Sequence, residues 1–270
     1  MSLRIIFFLV FLVSIRISNA QILVNEYFHF IPSAVNKTDI SGFAFLQNPA
    51  NHLETENMNI LLAVSPSKFG MPELSPATGA FSWNIDNGMA AGANIFSIGN
   101  SLFSEYSITG DFAYAVTSEF KAGVSLQYSG LSVKNFGSES LLSVNMGATA
   151  SLTENITAGA AFMNISGAHF TGGEKTAVRQ AVIGAGIETD PGLNFDIDGI
   201  VRLNGTSGAA LAASYQYEEI LKFRLAYLTA PGGVEAGANF KPFNFMSIFL
   251  IFNHHEYLGL SQTGGINVKL

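Results

Sequence analysis

Phe120-Lys121-Ala122-Gly123-Val124-Ser125-Leu126-Gln127-Tyr128-Ser129 is the stretch whose reading decides the fold. Taken alternately, it separates into Phe120, Ala122, Val124, Leu126 and Tyr128 on one side and Lys121, Gly123, Ser125, Gln127 and Ser129 on the other. A period of two places each set on its own face of a pleated strand. The same separation recurs further on. In 193–203 an apolar face of Phe195, Ile197, Gly199, Val201 and Leu203 opposes Asn194, Asp196, Asp198 and Arg202. In 221–227 Leu221, Phe223, Leu225 and Tyr227 oppose Lys222 and Arg224.

From residue 58 onward this alternation comes in units of about ten residues separated by turns, the rhythm of transmembrane barrel strands. Tight polar connections fall at Asp86-Asn87-Gly88, Thr117-Ser118-Glu119, Thr153-Glu154-Asn155, Thr189-Asp190-Pro191-Gly192, Glu218-Glu219 and Lys241-Pro242-Phe243-Asn244. Between them lie 65–76, 99–105, 130–139, 167–176, 204–208, 230–233 and 253–257, several of them longer. Outer-membrane barrels alternate short periplasmic turns with longer outer loops. Six of one kind interleaved with seven of the other predict an all-β fold, a transmembrane antiparallel barrel of about 14 strands over 58–270.

The composition agrees. The chain is 48% hydrophobic and 12% charged, about half the charge usual for soluble domains. Yet after residue 20 no run approaches the roughly 18 apolar residues of a membrane helix. Apolar residues spread over alternating strands reconcile the two. A net charge of −7 speaks against a nucleic-acid partner. Without cysteine there is neither a disulfide framework nor a lipid-bearing cysteine.

Residues 1–20 read as a secretory signal peptide. Arg4 supplies the positive charge, Ile5 to Val13 the apolar core, and Ser18-Asn19-Ala20 the small residues before a cleavage site at Gln21. Residues 21–57 lack the ten-residue rhythm and mix Phe28, Phe30, Phe43 and Phe45 with polar turns. They are expected to form an N-terminal segment that enters or caps the periplasmic mouth as a plug, or else a partly ordered periplasmic leader. Two later features suit interior bulk. The stretch 243–252 is apolar on both faces, and Gly-Ala-rich strands at 89–93 and 184–186 leave room inside.

Asn48-Pro49-Ala50 follows the small and apolar stretch Ser41-Gly42-Phe43-Ala44-Phe45. With it, the hairpin-like segments 112–126 and 143–164 and the ending His255-Glu256-Tyr257-Leu258-Gly259-Leu260-Ser261-Gln262 resemble, in order and spacing, the PorV/PorQ family. More distantly, they resemble the FadL fatty-acid transporters. The resemblance covers most of the chain after residue 20. It implies a FadL-like 14-strand barrel with an N-terminal plug marked by Asn48, Pro49 and Ala50. It also implies a Bacteroidetes-type outer membrane and an association with type IX secretion. The chain departs from the family in its length and short outer loops, in Gln262 where the family has His, and in ending Lys269-Leu270 rather than on an aromatic residue.

Little chemistry is written into the chain. His254-His255-Glu256 lacks spaced partners for a metal, because adjacent strand residues point to opposite faces. Ser261 and His255 stand close in sequence, but no nucleophile elbow or third polar group accompanies them. No catalytic residue, cofactor or metal is expected. The charges Glu188, Asp196, Asp198 and Arg202 fall on the inner faces of neighbouring strands, with Lys222 and Arg224 two strands on from the Asp pair. They read as a salt-bridge network holding a plug or a hydrated wall, or else as a selectivity constriction. The expected location is the bacterial outer membrane after signal-peptide cleavage, in contact with lipid and lipopolysaccharide. The expected function is a non-enzymatic accessory or scaffold barrel with secretion-system or surface proteins as partners. The alternative is a FadL-like channel taking up a small hydrophobic ligand.

Overall fold

The computed structural model describes residues 31–55, 58–86, 88–171, 178–189, 192–203 and 205–270. The proposed signal peptide and residues 21–30 lie outside them. Fourteen strands follow in order: β1 Met58–Val64, β2 Ala77–Asp86, β3 Met89–Gly99, β4 Phe103–Ala115, β5 Phe120–Val133, β6 Gly137–Ser151 and β7 Ile156–Met163. The second half comprises β8 Gln180–Thr189, β9 Leu193–Arg202, β10 Gly208–Tyr217, β11 Leu221–Thr229, β12 Gly232–Phe243, β13 Met246–His255 and β14 Gly259–Lys269. Each pairs antiparallel with its neighbours in sequence, and β1 pairs with β14, as at Leu62↔Ile266, to close the barrel. Closure leaves no strand edge unpaired.

The alternation sorts the two faces as in a membrane barrel. On β5, Leu126 is 52% exposed and Gln127 only 3%. Phe195 and Ile197 point outward while Asp196 and Asp198 are buried; Phe223 and Leu225 point outward while Arg224 is buried. An exterior of Ile, Leu, Phe and Tyr around a polar interior inverts the arrangement of a soluble protein. Hydrocarbon is the medium that it fits.

The tight turns are held by their own side chains. Asp86 Oδ1 accepts from the Gly88 and Met89 amides, each at 2.8 Å. Thr117 Oγ1 accepts from Glu119 and Phe120, and Thr153 Oγ1 from Asn155 and Ile156. These are the local bonds that make Asp and Thr turn formers. The last tight turn sits two residues later than the spacing predicts: β12 runs through Phe243, so the turn is 244–245.

At the opposite end 65–76 connects β1 and β2 as expected and 164–179 is longer than expected, but other connections are shorter than the sequence suggests. Gly130 and Ser132, read there as loop, are paired within β5 at Gly130↔Ser140 and Ser132↔Ser138. The Tyr106 ring lies against Gly130, occupying the space a side chain would need and shielding the bare backbone. The loop shrinks to 134–136, with Asn135 at φ 67°. Between β7 and β8 the wall is irregular. Residues 164–171 lie along the outer half of β6, with Ile165 N donating to Val144 O at 2.9 Å. Phe170 turns inward onto Leu131 and Leu141.

Residues 31–55 occupy the interior. They carry one helical turn, α1 (Ala44–Gln47), and a 3-10 helix, η1 (Pro49–Glu54). Ile40, Phe43 and Phe45 pack on Leu61, Ala63, Ala80, Phe249 and Ile251, with Phe43 edge-on to Phe249 at 6.1 Å. This accounts for the doubly apolar β13: Ile248, Leu250 and Phe252 face outward, and Phe249 and Ile251 meet the inner segment. A second cluster joins Ile31 and Ala34 to Val182, Ile200, Ala210, Ala212 and Ala226.

Leu126→Arg should destabilise the barrel in phospholipid vesicles by about 2–4 kcal/mol, whereas Gln127→Arg, one residue on, should cost far less. Urea unfolding in vesicles measures both, and equal losses would contradict the assignment of faces.

Candidate functional site

The floor of the site is built from Asn48. Its backbone is extended, its Oδ1 caps η1 by accepting from Ala50 N at 3.0 Å, and Pro49 stands at the helix start, where a missing N–H costs nothing. Asn48 Nδ2 donates to Ala34 O at 2.6 Å and to the wall carbonyls of Ala148 and Ala160 at 3.3 and 3.4 Å. One buried amide thus ties together two parts of the inner segment and two strands. The approach requires bare backbone in the wall: a β-carbon at Gly147 would collide with Asn48 Oδ1, and one at Gly123 with the Pro49 carbonyl. Further along η1, His52 stacks on Phe45 at 4.2 Å, and its Nδ1 meets Ser82 Oγ at 2.8 Å. Its Nε2 faces Asp111 Oδ2 at 3.5 Å.

The opposite wall holds residues 31–40 by charge. Asp198 Oδ1 accepts from Ala34 N at 2.8 Å. Asp196 accepts from Lys37 N at 3.1 Å, Thr38 N at 2.9 Å and Thr38 Oγ1 at 2.6 Å. Lys222 Nζ donates to the Lys37 and Asp39 carbonyls, and Asn239 Nδ2 to Ile40 O. Arg224 pairs with Glu235 and donates to Thr38 Oγ1 at 3.2 Å; Glu235 also accepts from Ile31 N at 3.1 Å. Hydrogen bonds to ionised groups are about twice as strong as neutral ones, which suits a segment whose backbone has little regular structure of its own.

Of the six charges read from the sequence, Asp196, Asp198, Lys222 and Arg224 thus meet on residues 34–39. Glu188 reaches Lys37 Nζ at 3.3 Å near the tight-turn mouth. Arg202 stands apart toward the other mouth, donating to Gln180 Oε1 at 2.9 Å and to the carbonyls of Thr206 and Ala230. Glu235, Asp111, Asn239 and His52 were missed. The signal for the first two was present: Glu235 sits between outward Val234 and Ala236, and Asp111 is followed by outward Phe112 and Tyr114. Asn239 and His52 carry no such local mark.

Above this floor, toward the end with the longer connections, lies a cavity of about 180 Å³. Ile31, Pro32, Leu46 and Gln47 form its base, and Phe69, Phe96, Leu141, Met163, Leu228 and Val234 supply apolar surface. The inner faces of β2–β6 add Thr78, Asn94, Ser107, Thr109, Ser125, Gln127, Ser143 and Asn145. Asp111 and Arg202 also line it. Among the described residues no three metal-ligating side chains cluster. His255 Nδ1 accepts from the Tyr257 and Leu258 amides, and Ser261 Oγ accepts from Phe69 N, so each is engaged in local structure rather than with the other.

A closed, fourteen-stranded antiparallel barrel with an apolar exterior and a segment packed inside belongs to the FadL-like outer-membrane class of fold. Solved structures agree. A monoaromatic hydrocarbon channel, CymD, matches with TM-score 0.63 at 13% identity over 92% of this chain and 97% of its own. A FadL homologue from Pseudomonas aeruginosa matches with TM-score 0.59 at 12% identity over 93% and 98%. The toluene transporter TodX of P. putida matches with TM-score 0.58 at 13% identity over 87% and 94%. No family model matches the sequence, and no curated protein matches it significantly.

Asp196→Asn should loosen residues 31–55 by about 1–3 kcal/mol, because an amide cannot accept all three bonds. Arg224→Met should cost about 3–5 kcal/mol by stranding Glu235, and adding Glu235→Gln should restore part of the loss. Rates of proteolytic cutting within 31–55 report both. At the tight-turn mouth Glu54 pairs with Lys121. Burial pushes the Glu54 carboxyl up, but the hydrogen bond and charge of Lys121 outweigh it and hold the group below its ordinary 4.5. The contribution of this pair is therefore complete above pH 4.5 and is lost as pH falls through the lowered value. Glu54→Gln should abolish that acid-dependent part of the cutting rate.

Proposed function

We propose that the protein is a channel of the bacterial outer membrane that admits small, largely apolar molecules, with residues 31–55 acting as its plug. The observation that carries this reading is the cavity seated on the inner segment. At about 180 Å³ it is small: an engineered apolar cavity of about 150 Å³ in another protein takes up benzene. One ring or a short chain matches that volume. The described neighbours of similar fold include a toluene transporter and monoaromatic hydrocarbon channels, which supports the reading by analogy of fold. Export by the segment 1–20, with cleavage before Gln21, belongs to the same proposal. The accessory or secretion-linked role implied by the PorV/PorQ resemblance gains no support from these neighbours.

Planar-bilayer conductance and vesicle uptake test the proposal together. The intact protein should show little ionic conductance while speeding toluene entry. Deleting 21–57, or combining Asp196→Asn with Arg224→Met in the full chain, should raise conductance by about tenfold or more. Free conduction by the intact barrel would refute the plug, and the absence of any effect on toluene entry would refute the channel.

A further inference from the structure

The hydroxyl-lined wall of the cavity is not needed by a pure hydrocarbon ligand. Ser107 and Thr109 on β4, Ser125 on β5 and Ser143 on β6 turn inward from three adjacent strands, with Gln127 between Thr109 and Ser143, and are each less than a tenth exposed. Their neighbours Asn94, Gln127 and Asn145 are occupied with Thr78, Ser129 and Asn164. No described residue hydrogen-bonds to the side-chain hydroxyl of Ser107, Thr109, Ser125 or Ser143. Hydroxyls sheltered from bulk water and unclaimed by the described residues favour a guest that bonds to them.

Charge narrows the guest further. Among the described residues, Arg202 is the only lysine or arginine in the lining. Its guanidinium is committed to Gln180, Thr206 and Ala230, while the Asp111 carboxylate lies within the same wall. A carboxylate guest would surrender its hydration to meet like charge, which is costly in a sheltered site. Ile31 and Leu46 in the base offer an apolar bed for a ring or short chain. Resting on the channel reading above, we infer that the cavity selects uncharged, ring-sized molecules carrying a hydroxyl group, the phenol class, over both bare hydrocarbons and carboxylates. The ring lies toward the base and the hydroxyl toward the ladder on β4–β6.

Toluene, 4-methylphenol and 4-methylbenzoate share one ring and one methyl group, and so isolate the variable. Binding to the full-length protein in lipid nanodiscs and entry into vesicles should both favour 4-methylphenol over toluene. The expected margin is about two- to tenfold for each hydrogen bond gained, and 4-methylbenzoate should come last. Thr109→Val with Ser125→Ala should erase the margin by weakening 4-methylphenol far more than toluene. Ser143→Ala, which only removes one oxygen, should reduce the margin and serves as the milder variant. Heat-modifiable gel mobility verifies that each variant is folded. Equal or tighter binding of toluene, a margin indifferent to the variants, or preference for 4-methylbenzoate would overturn the inference while leaving the channel standing. Failure of all three compounds to bind or enter would overturn the channel itself, and the inference with it.

Discussion

Everything in the structure answers to the need to pair every backbone N–H and C=O away from water, since each unpaired group in hydrocarbon costs several kcal/mol. In the wall, ring closure meets that need: β14 completes both β13 and β1, and no strand is left with an open edge. The interior poses a second version of the problem. Residues 31–43 have no helix or ladder of their own, so the wall shares their pairing with the segment's own Ser33, Asp39, Ser41 and Gln47 side chains. Asp196, Asp198 and Glu235 receive the amides of Ile31, Ala34, Lys37 and Thr38, while Lys222 and Asn239 donate to the carbonyls of Lys37, Asp39 and Ile40. The inner carboxylates serve the inner segment as a strand's neighbours serve a strand.

The two sides of the interior do different work. On β8–β12, ionised groups grip residues 31–40. On β2–β6, close fit adds to the bonds of Asn48, His52 and Glu54, with Gly92, Gly123 and Gly147 letting His52, Pro49 and Asn48 approach the backbone closely. The same β2–β6 wall, continued toward the far mouth, changes from glycine to Ser, Thr, Asn and Gln and becomes the cavity lining. One strand such as β5 therefore passes from seating the floor at Gly123 to facing the cavity at Ser125 and Gln127. The difference of two residues is the sheet period, which is why both roles fall on one face.

The barrel was legible because lipid and lumen impose opposite demands on adjacent residues. Leu126 and Gln127 declare their faces without any knowledge of their partners, and six tight turns interleaved with seven other connections give the fourteen strands observed. The β5–β6 loop was read too long for a physical reason. Gly130 and Ser132 have the composition of a turn, and only the Tyr106 ring on the neighbouring strand makes Gly130 comfortable in a ladder. The path of the inner segment was hidden more deeply. Its contacts join residues as far apart as Ala34 and Asp198, and no periodicity records such a pairing. Asn48-Pro49-Ala50 stood out through family resemblance, and the structure gives the motif a mechanism as a helix cap that also binds two wall carbonyls. The grouping of Asp196, Asp198, Lys222 and Arg224 followed from alternation, whereas His52 could be found only in three dimensions.

Hydrogen–deuterium exchange of the protein in lipid nanodiscs, resolved to peptides covering residues 31–43, tests the central claim most directly. If wall carboxylates stand in for secondary structure, the Ala34 and Thr38 amides exchange orders of magnitude more slowly than a free peptide, approaching the protection of β9 and β11. Exchange at the rate of an unstructured chain, while the strands stay protected, would contradict the account.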